Sequence, residues 1–213
     1  MADNQLDVPI KKAKIVLAEL KRLFPDAHTI LNFSNKWQLL VAVMLSAQTT
    51  DKQVNKTTAA LFKKYKTLDS YVCAKPDEFV NAIRSINYYK TKAKHILESA
   101  RIVQNMFHGV LPRTVEQLMI LPGVGRKTAL VVLGNAYSIT EGIAVDTYVA
   151  RLAHVFDLSQ QQDTKKIETD LCKLFPKEEW LSLTNRMIEY GRQYCNAHCS
   201  HENCPIMAKI RNI

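Results

Sequence analysis

Leu121-Pro122-Gly123-Val124-Gly125-Arg126-Lys127-Thr128-Ala129 decides how this 213-residue chain is read, and half of its six glycines lie between positions 123 and 134. Helical spacing on both sides, over 115–120 and 127–136, makes the stretch a tight turn between two helices. Gly123 and Gly125 permit positive φ and the close approach of another backbone. Amides at the start of the second helix, at the positive end of its dipole, suit a phosphate oxygen. A plain glycine-rich helix connection is the alternative. A Walker loop is excluded, because Arg126 separates Gly125 from Lys127 and a helix, not a strand, precedes the turn.

Outward from the turn, strand signals are nearly absent and the helical period recurs. It predicts a first helix opened by Pro9, with Ala13, Leu17, Leu20 and Phe24 on one face and Pro25 as its stop. Asn35 and Gln38 form an N-cap with a reciprocal partner ahead of the apolar stretch 37–45. Val54, Thr58, Leu61, Phe62 and Tyr65 make a third stripe, and short helices are expected over 67–73 and 76–83. Ala93, Ile96, Leu97, Ala100, Val103 and Phe107 mark a longer helix, closed by Gly109 and Pro112. Three more follow, around Val149 to Phe156, Ile167 to Leu174, and Trp180 to Ile188. The expectation is an all-α protein of about ten short helices with no repeat, low-complexity tract or flexible linker.

Composition narrows the partner. Apolar residues at 47% and charged residues at 23% describe an ordinary globular chain and exclude disorder as its main state. Lys+Arg exceed Asp+Glu by 29 to 20, and a net charge of +9 favours a polyanion, nucleic acid before membrane. The longest apolar run, 39–45, is far too short to span a bilayer, and residues 1–9 are polar with no secretory core. A monomer in the cytoplasm, associated with the nucleoid, is expected. Five cysteines, three of them near the C-terminus, argue against a disulfide framework. Cys73 and Cys172 read as small buried hydrophobes.

Two ionisable residues stand out. An ammonium in the first turn of a helix faces the like-signed end of the dipole, so Lys127 is either an exposed surface lysine or an amine primed as a nucleophile. The apolar segment Ile143-Ala144-Val145 delivers Asp146 to the start of the next helix. Asp146 is there as a plain N-cap, or as a carboxylate that accepts a proton from an attacking amine or offsets charge growing on a sugar carbon.

The turn at 121–129, with Ala144-Val145-Asp146-Thr147 about twenty residues on, resembles the helix-hairpin-helix and Gly/Pro-Asp signature of the endonuclease III family of DNA glycosylases. Residues 31–51 resemble that family's first core helices, and the similarity runs from about residue 9 to 195. The resemblance implies two helical domains with DNA gripped between them: a six-helix bundle over 29–140, and a second domain of 1–28 with 141–213. It implies base-excision repair of oxidised pyrimidines in duplex DNA, with the damaged nucleotide flipped out. Lys127 then corresponds to the Schiff-base lysine and Asp146 to the catalytic aspartate, with β-elimination cutting 3′ of the abasic site. Gln48 matches the residue that fills the gap left by the flipped base. Ile86, Asn87 and Tyr88 match the wedge, and Gly123, Val124, Gly125 and Arg126 the phosphate-holding hairpin. A monofunctional mismatch glycosylase and an inactive helix-hairpin-helix DNA-binding module are the alternatives; Lys127 weighs against the first, and Lys127 with Asp146 against the second.

Three departures from the family pattern matter. Tyr148 replaces the usual His after Asp-Thr, which bears on base recognition. Asn87, which tolerates the left-handed region, and Tyr88 replace Gly and a leucine-like wedge. The family commonly ends in Cys-x6-Cys-x2-Cys-x5-Cys around a [4Fe–4S] cluster, whereas this chain has Cys195-x3-Cys199-x4-Cys204. Aligning Cys204 with the third ligand puts His201 at the second and Ile210 at the fourth. The spacing therefore predicts that the family-type cluster is absent or altered. Cys195, Cys199 and Cys204 with one of His198 or His201 are left as a zinc-compatible set or as relics, and the chemistry needs no cofactor.

Overall fold

The computed structural model describes residues 3–202, 204–211 and 213, with side chains from residue 8 onward. Met1 and Ala2, the first residues of the polar N-terminal stretch, lie outside the described residues. The described residues are all-helical: α1 (Asp3–Leu23), α2 (Lys36–Ser46), α3 (Asp51–Lys64), α4 (Leu68–Val72), α5 (Pro76–Ala82), α6 (Tyr89–Met106), α7 (Val115–Leu118), α8 (Arg126–Tyr137), α9 (Thr147–Val155), α10 (Thr164–Leu174), a 3₁₀ turn (Lys177–Glu179), α11 (Trp180–Gln193) and α12 (Pro205–Ile210). Among the described residues no helix is long and apolar enough to cross a membrane.

Two helix ends differ from expectation. Pro9 lies inside α1, not at its start, so the helix continues past a residue that donates no hydrogen bond. The short α12, with Pro205 in its first turn, adds a helix beyond α11. The chain divides into two compact units, one of Ile30–Ile139 and one of Met1–Thr29 with Thr140–Ile213.

In the unit of α2 to α8, α2 is apolar on every side, and such a helix must be enclosed. Residues 37–45 are all buried, and α3, α6 and α8 pack around them. Asn35 caps α2 by accepting from Gln38 N at 2.9 Å, while the Gln38 side chain reaches Ser34 N at 2.8 Å instead of returning to Asn35. Trp37, Tyr65, Tyr71 and Phe79 interlock edge to face or tilted, with ring centres 5.2–5.6 Å apart. Tyr137 ends α8, donating to Leu111 O under the Lys36 ammonium.

The other unit closes over Val16, Leu20, Val149, Leu152, Phe156, Leu171, Leu183, Met187, Tyr190 and Ile206. The helix α1 packs on α10, α11 and α12. Its buried Glu19 accepts from Arg22 at 3.0 Å and from Lys209 of α12, which holds the carboxyl below its ordinary range. Cys73 is exposed at the end of α4 and Cys172 only half-buried, correcting the expectation that both are core residues. Cys73 lies past Tyr71, the residue that α4 buries.

Candidate active site and nucleic-acid interface

The turn between α7 and α8 is a hairpin held by its own backbone, with Leu121 N bonded to Leu118 O and Val124 N to Leu121 O, each at 3.1 Å. Val124 is buried beneath it. Gly123 adopts φ +77, and a Cβ there would stand 2.6 Å from His95 Nδ1, so this position needs glycine twice over. Gly125 has φ −89 and caps α8 in extended backbone, so the positive φ expected of it is not used. A Cβ on Gly125 would meet nothing within 4 Å. No side chain caps α8, and Lys127 stands exposed in its first turn.

Asp146 follows the buried segment Ile143-Ala144-Val145, which Thr184 Oγ1 pins through Ala144 O at 3.2 Å. Its Oδ1 accepts from Val149 N at 2.9 Å, so Asp146 is the N-cap of α9. One carboxylate oxygen is thereby fixed by the helix it caps. Two residues on, the half-buried Tyr148 ring lies 5.8 Å from the Arg151 guanidinium and 5.9 Å from that of Arg192. Gly191 makes room for it: a Cβ there would fall 2.5 Å from Tyr148 Cδ1. Arg151 also donates to Cys195 O at 2.6 Å, so it links Tyr148 to the cysteine segment.

Gln48 and Tyr88 are both exposed, Tyr88 to 72%, and both occupy the left-handed region with φ 55 and 58. The expected left-handed residue, Asn87, is instead the fastener: its side chain donates to Gln48 O and its backbone N to Thr49 Oγ1 at 3.2 Å. Ile86 is 2% exposed. That corrects its assignment to the wedge, since its side chain is buried. Arg84, Lys90, Lys94 and Arg101 remain on the surface. Lys92, in the same stretch, is buried, and burial holds its ammonium down at about 8. Lys92 precedes Ile96 by four residues, which places it on the apolar stripe of α6; that spacing was the available signal.

The donor atoms of Cys195, Cys199, His201 and Cys204 all lie within 4.8 Å of one another. The His201 backbone at φ 65 turns the chain back so that its N donates to Cys199 Sγ at 3.3 Å. Burial raises the Cys195 thiol and pushes Cys204 up to about 12, and a bound metal reverses that preference by taking the thiolate. Three thiols and an imidazole are soft donors that suit an iron–sulfur group, in which histidine can stand for cysteine.

Residues 41–177 match the model of the HhH-GPD superfamily base excision DNA repair protein. Endonuclease III of Synechocystis sp. is 40% identical over 187 residues, 88% of this chain and 85% of that protein. The Bacillus subtilis endonuclease III is 37% identical over 204 residues, covering 95% and 93%. The chain belongs to the endonuclease III family. It is accordingly a DNA N-glycosylase and abasic-site lyase for oxidised pyrimidines, as the two motifs implied. A non-covalent endonuclease III–DNA complex superimposes with a TM-score of 0.89 at 40% identity, covering 93% of this chain and 94% of that one. A thermostable thymine-DNA glycosylase superimposes at 0.80 with 21% identity, which speaks to the fold alone.

The convergence of Cys195, Cys199, His201 and Cys204, with the endonuclease III relationship, corrects the expectation of a lost or altered cluster with zinc as the alternative. The set is consistent with a retained iron–sulfur-type metal site, as in endonuclease III. Linear spacing misled because it treated the fourth cysteine as indispensable. Ile210, aligned with it, is buried in α12, while Cys199 and His201 reach the site through the turn.

Proposed function

We propose that base removal and strand scission by this endonuclease III run on Lys127 and Asp146, acting as a monomer on damaged duplex DNA in the bacterial cytoplasm. The exposed Lys127 in the first turn of α8 carries this assignment, because an amine nucleophile must be reachable. The Lys127 amine attacks C1′ of the extruded deoxyribose, and the glycosidic electron pair leaves with the base. Asp146 contributes the carboxylate that takes up a proton or offsets positive charge growing on the sugar. Ring opening gives an imine; loss of a C2′ proton then expels the 3′ phosphate, and hydrolysis of the imine returns the free lysine. Asp146 suits its part because the helix cap fixes the carboxylate in orientation.

The remaining assignments concern the DNA. The hairpin of Gly123, Val124, Gly125 and Arg126 holds a phosphate through backbone amides other than the Val124 N–H, which bonds Leu121 O, and Gln48, Asn87 and Tyr88 meet the bases around the vacated position. Tyr148, stacked by two guanidiniums, contributes to selecting the lesion. Residues 29–140 form one domain and 1–28 with 141–213 the other. Cys195, Cys199, His201 and Cys204 would hold the iron–sulfur group, which cross-links the C-terminal segment when bound.

Borohydride trapping on abasic-site duplex tests this. Wild type should give a covalent adduct, Lys127→Ala none, and Asp146→Asn should slow base release by about 100-fold or more while DNA binding persists. The Asn side chain keeps an oxygen for Val149 N, so the loss reports chemistry and not the cap. Trapping by Lys127→Ala at the wild-type level would overturn the assignment.

A further inference from the structure

Lys92 is a buried cation whose hydrogen bonds all reach toward the turn that carries Gln48. Its Nζ donates to Leu45 O at 2.8 Å, to Ala47 O at 2.5 Å and to Thr49 Oγ1 at 3.4 Å. Three ammonium protons thus meet three acceptors. Two are carbonyls at the C-terminal end of α2, where a cation is favoured by the dipole and where the helix stops abruptly at Ala47. The backbone N of Lys92 bonds Tyr88 O at 3.0 Å, the first bond of α6. One residue therefore grips both exposed, left-handed positions, Tyr88 through its main chain and the Gln48 turn through its side chain. Asn87 closes the same ring from the other side. Left-handed backbone at Gln and Tyr costs free energy and persists only where surrounding bonds enforce it. A large aromatic left almost bare on such a braced loop is poised for a partner it does not yet touch.

We propose that Lys92 is a positioning residue that presents Gln48 and Tyr88 together to the bases flanking an extruded nucleotide. The inference rests on the DNA-repair reading above. It extends that reading to a side chain that touches neither DNA nor the reacting atoms. The Lys92 side-chain bonds end on Leu45, Ala47 and Thr49, beside Gln48, so its loss loosens the spacing of the two probes. The consequence is specific to duplex DNA, where a vacated position must be filled, and is absent from a single strand, where nothing needs filling.

The experiment compares cleavage of an abasic site in duplex and in single-stranded DNA, with 2-aminopurine opposite the site as a reporter of local unstacking. Lys92→Met should raise the duplex KM by about tenfold, leave single-strand cleavage within about twofold, and abolish the fluorescence change on binding. Thr49→Val should act in the same direction by about threefold, and it carries the test if Lys92→Met does not fold. Combined with Gln48→Ala, Lys92→Met should add no further loss, because both remove the same contact. Equal losses on both substrates, an unchanged fluorescence response, or multiplicative effects with Gln48→Ala would overturn the proposal. A wild-type protein that neither cleaves abasic DNA nor traps with borohydride would instead overturn the underlying reading, and the proposal with it.

Discussion

Replacing Gly123 with alanine tests the hairpin where it is tightest. Two independent costs are visible there. At φ +77 an L residue is strained by about 1–2 kcal/mol. The new Cβ would also sit 2.6 Å from His95 Nδ1 and 3.2 Å from its Cγ, so the imidazole or the turn must move, at about 1–3 kcal/mol. Gly123→Ala should therefore lose about 2–5 kcal/mol in denaturant unfolding, and His95→Ala in the same chain should return the second part but not the first. The displaced turn also misaims amides assigned to a phosphate, and losing one such charge-assisted bond weakens abasic-duplex binding by about 10- to 100-fold. The salt dependence of that binding should hardly change, because counterion release counts Lys and Arg and none has been removed. Anisotropy titrations at several salt concentrations measure both quantities. Wild-type affinity, or a stability loss that His95→Ala leaves untouched, would refute the reasoning.

Gly191→Ala places a Cβ 2.5 Å from Tyr148 Cδ1 and 3.2 Å from Arg151 Nη2. Excision of a damaged base should slow by about tenfold while trapping on a preformed abasic site is spared, as steady-state assays on the two substrates would register. Glu19 is held low by its bonds to Lys209 and Arg22, so its stabilising contribution is complete above its ordinary value of 4.5 and is lost as pH falls through the depressed folded value. Glu19→Gln should then cost about 1 kcal/mol at pH 7 and converge with wild type under acid, in unfolding curves across pH; a constant difference would count against the pair.

What the sequence made legible follows from where the deciding forces are local. Ala13, Leu20, Ile96 and Ala100 announce their helices because burial of one face imposes a 3.6-residue rhythm that any packing partner must respect. Gly123 announces its turn because only glycine tolerates both its φ and its neighbour. The errors share a different origin: each concerns a residue whose environment is made by a distant segment. Ile86 is apolar whether it wedges DNA or fills a core, and only the packing over it decides. Lys92 counts as +1 in any charge tally, and only the carbonyls at the end of α2, some forty-five residues away, turn it into a brace. The metal segment is the sharpest case. Read as spacing, a segment one cysteine short of the family pattern meant a cluster absent or altered; folded, the turn at His201 brings an imidazole and three thiols to one point. Ligand sets are chosen by convergence in space, and a left-handed residue changes which positions converge. The places of Lys127 and Asp146 were legible for the opposite reason: each sits at a helix start, and helix starts are written in the sequence by capping rules.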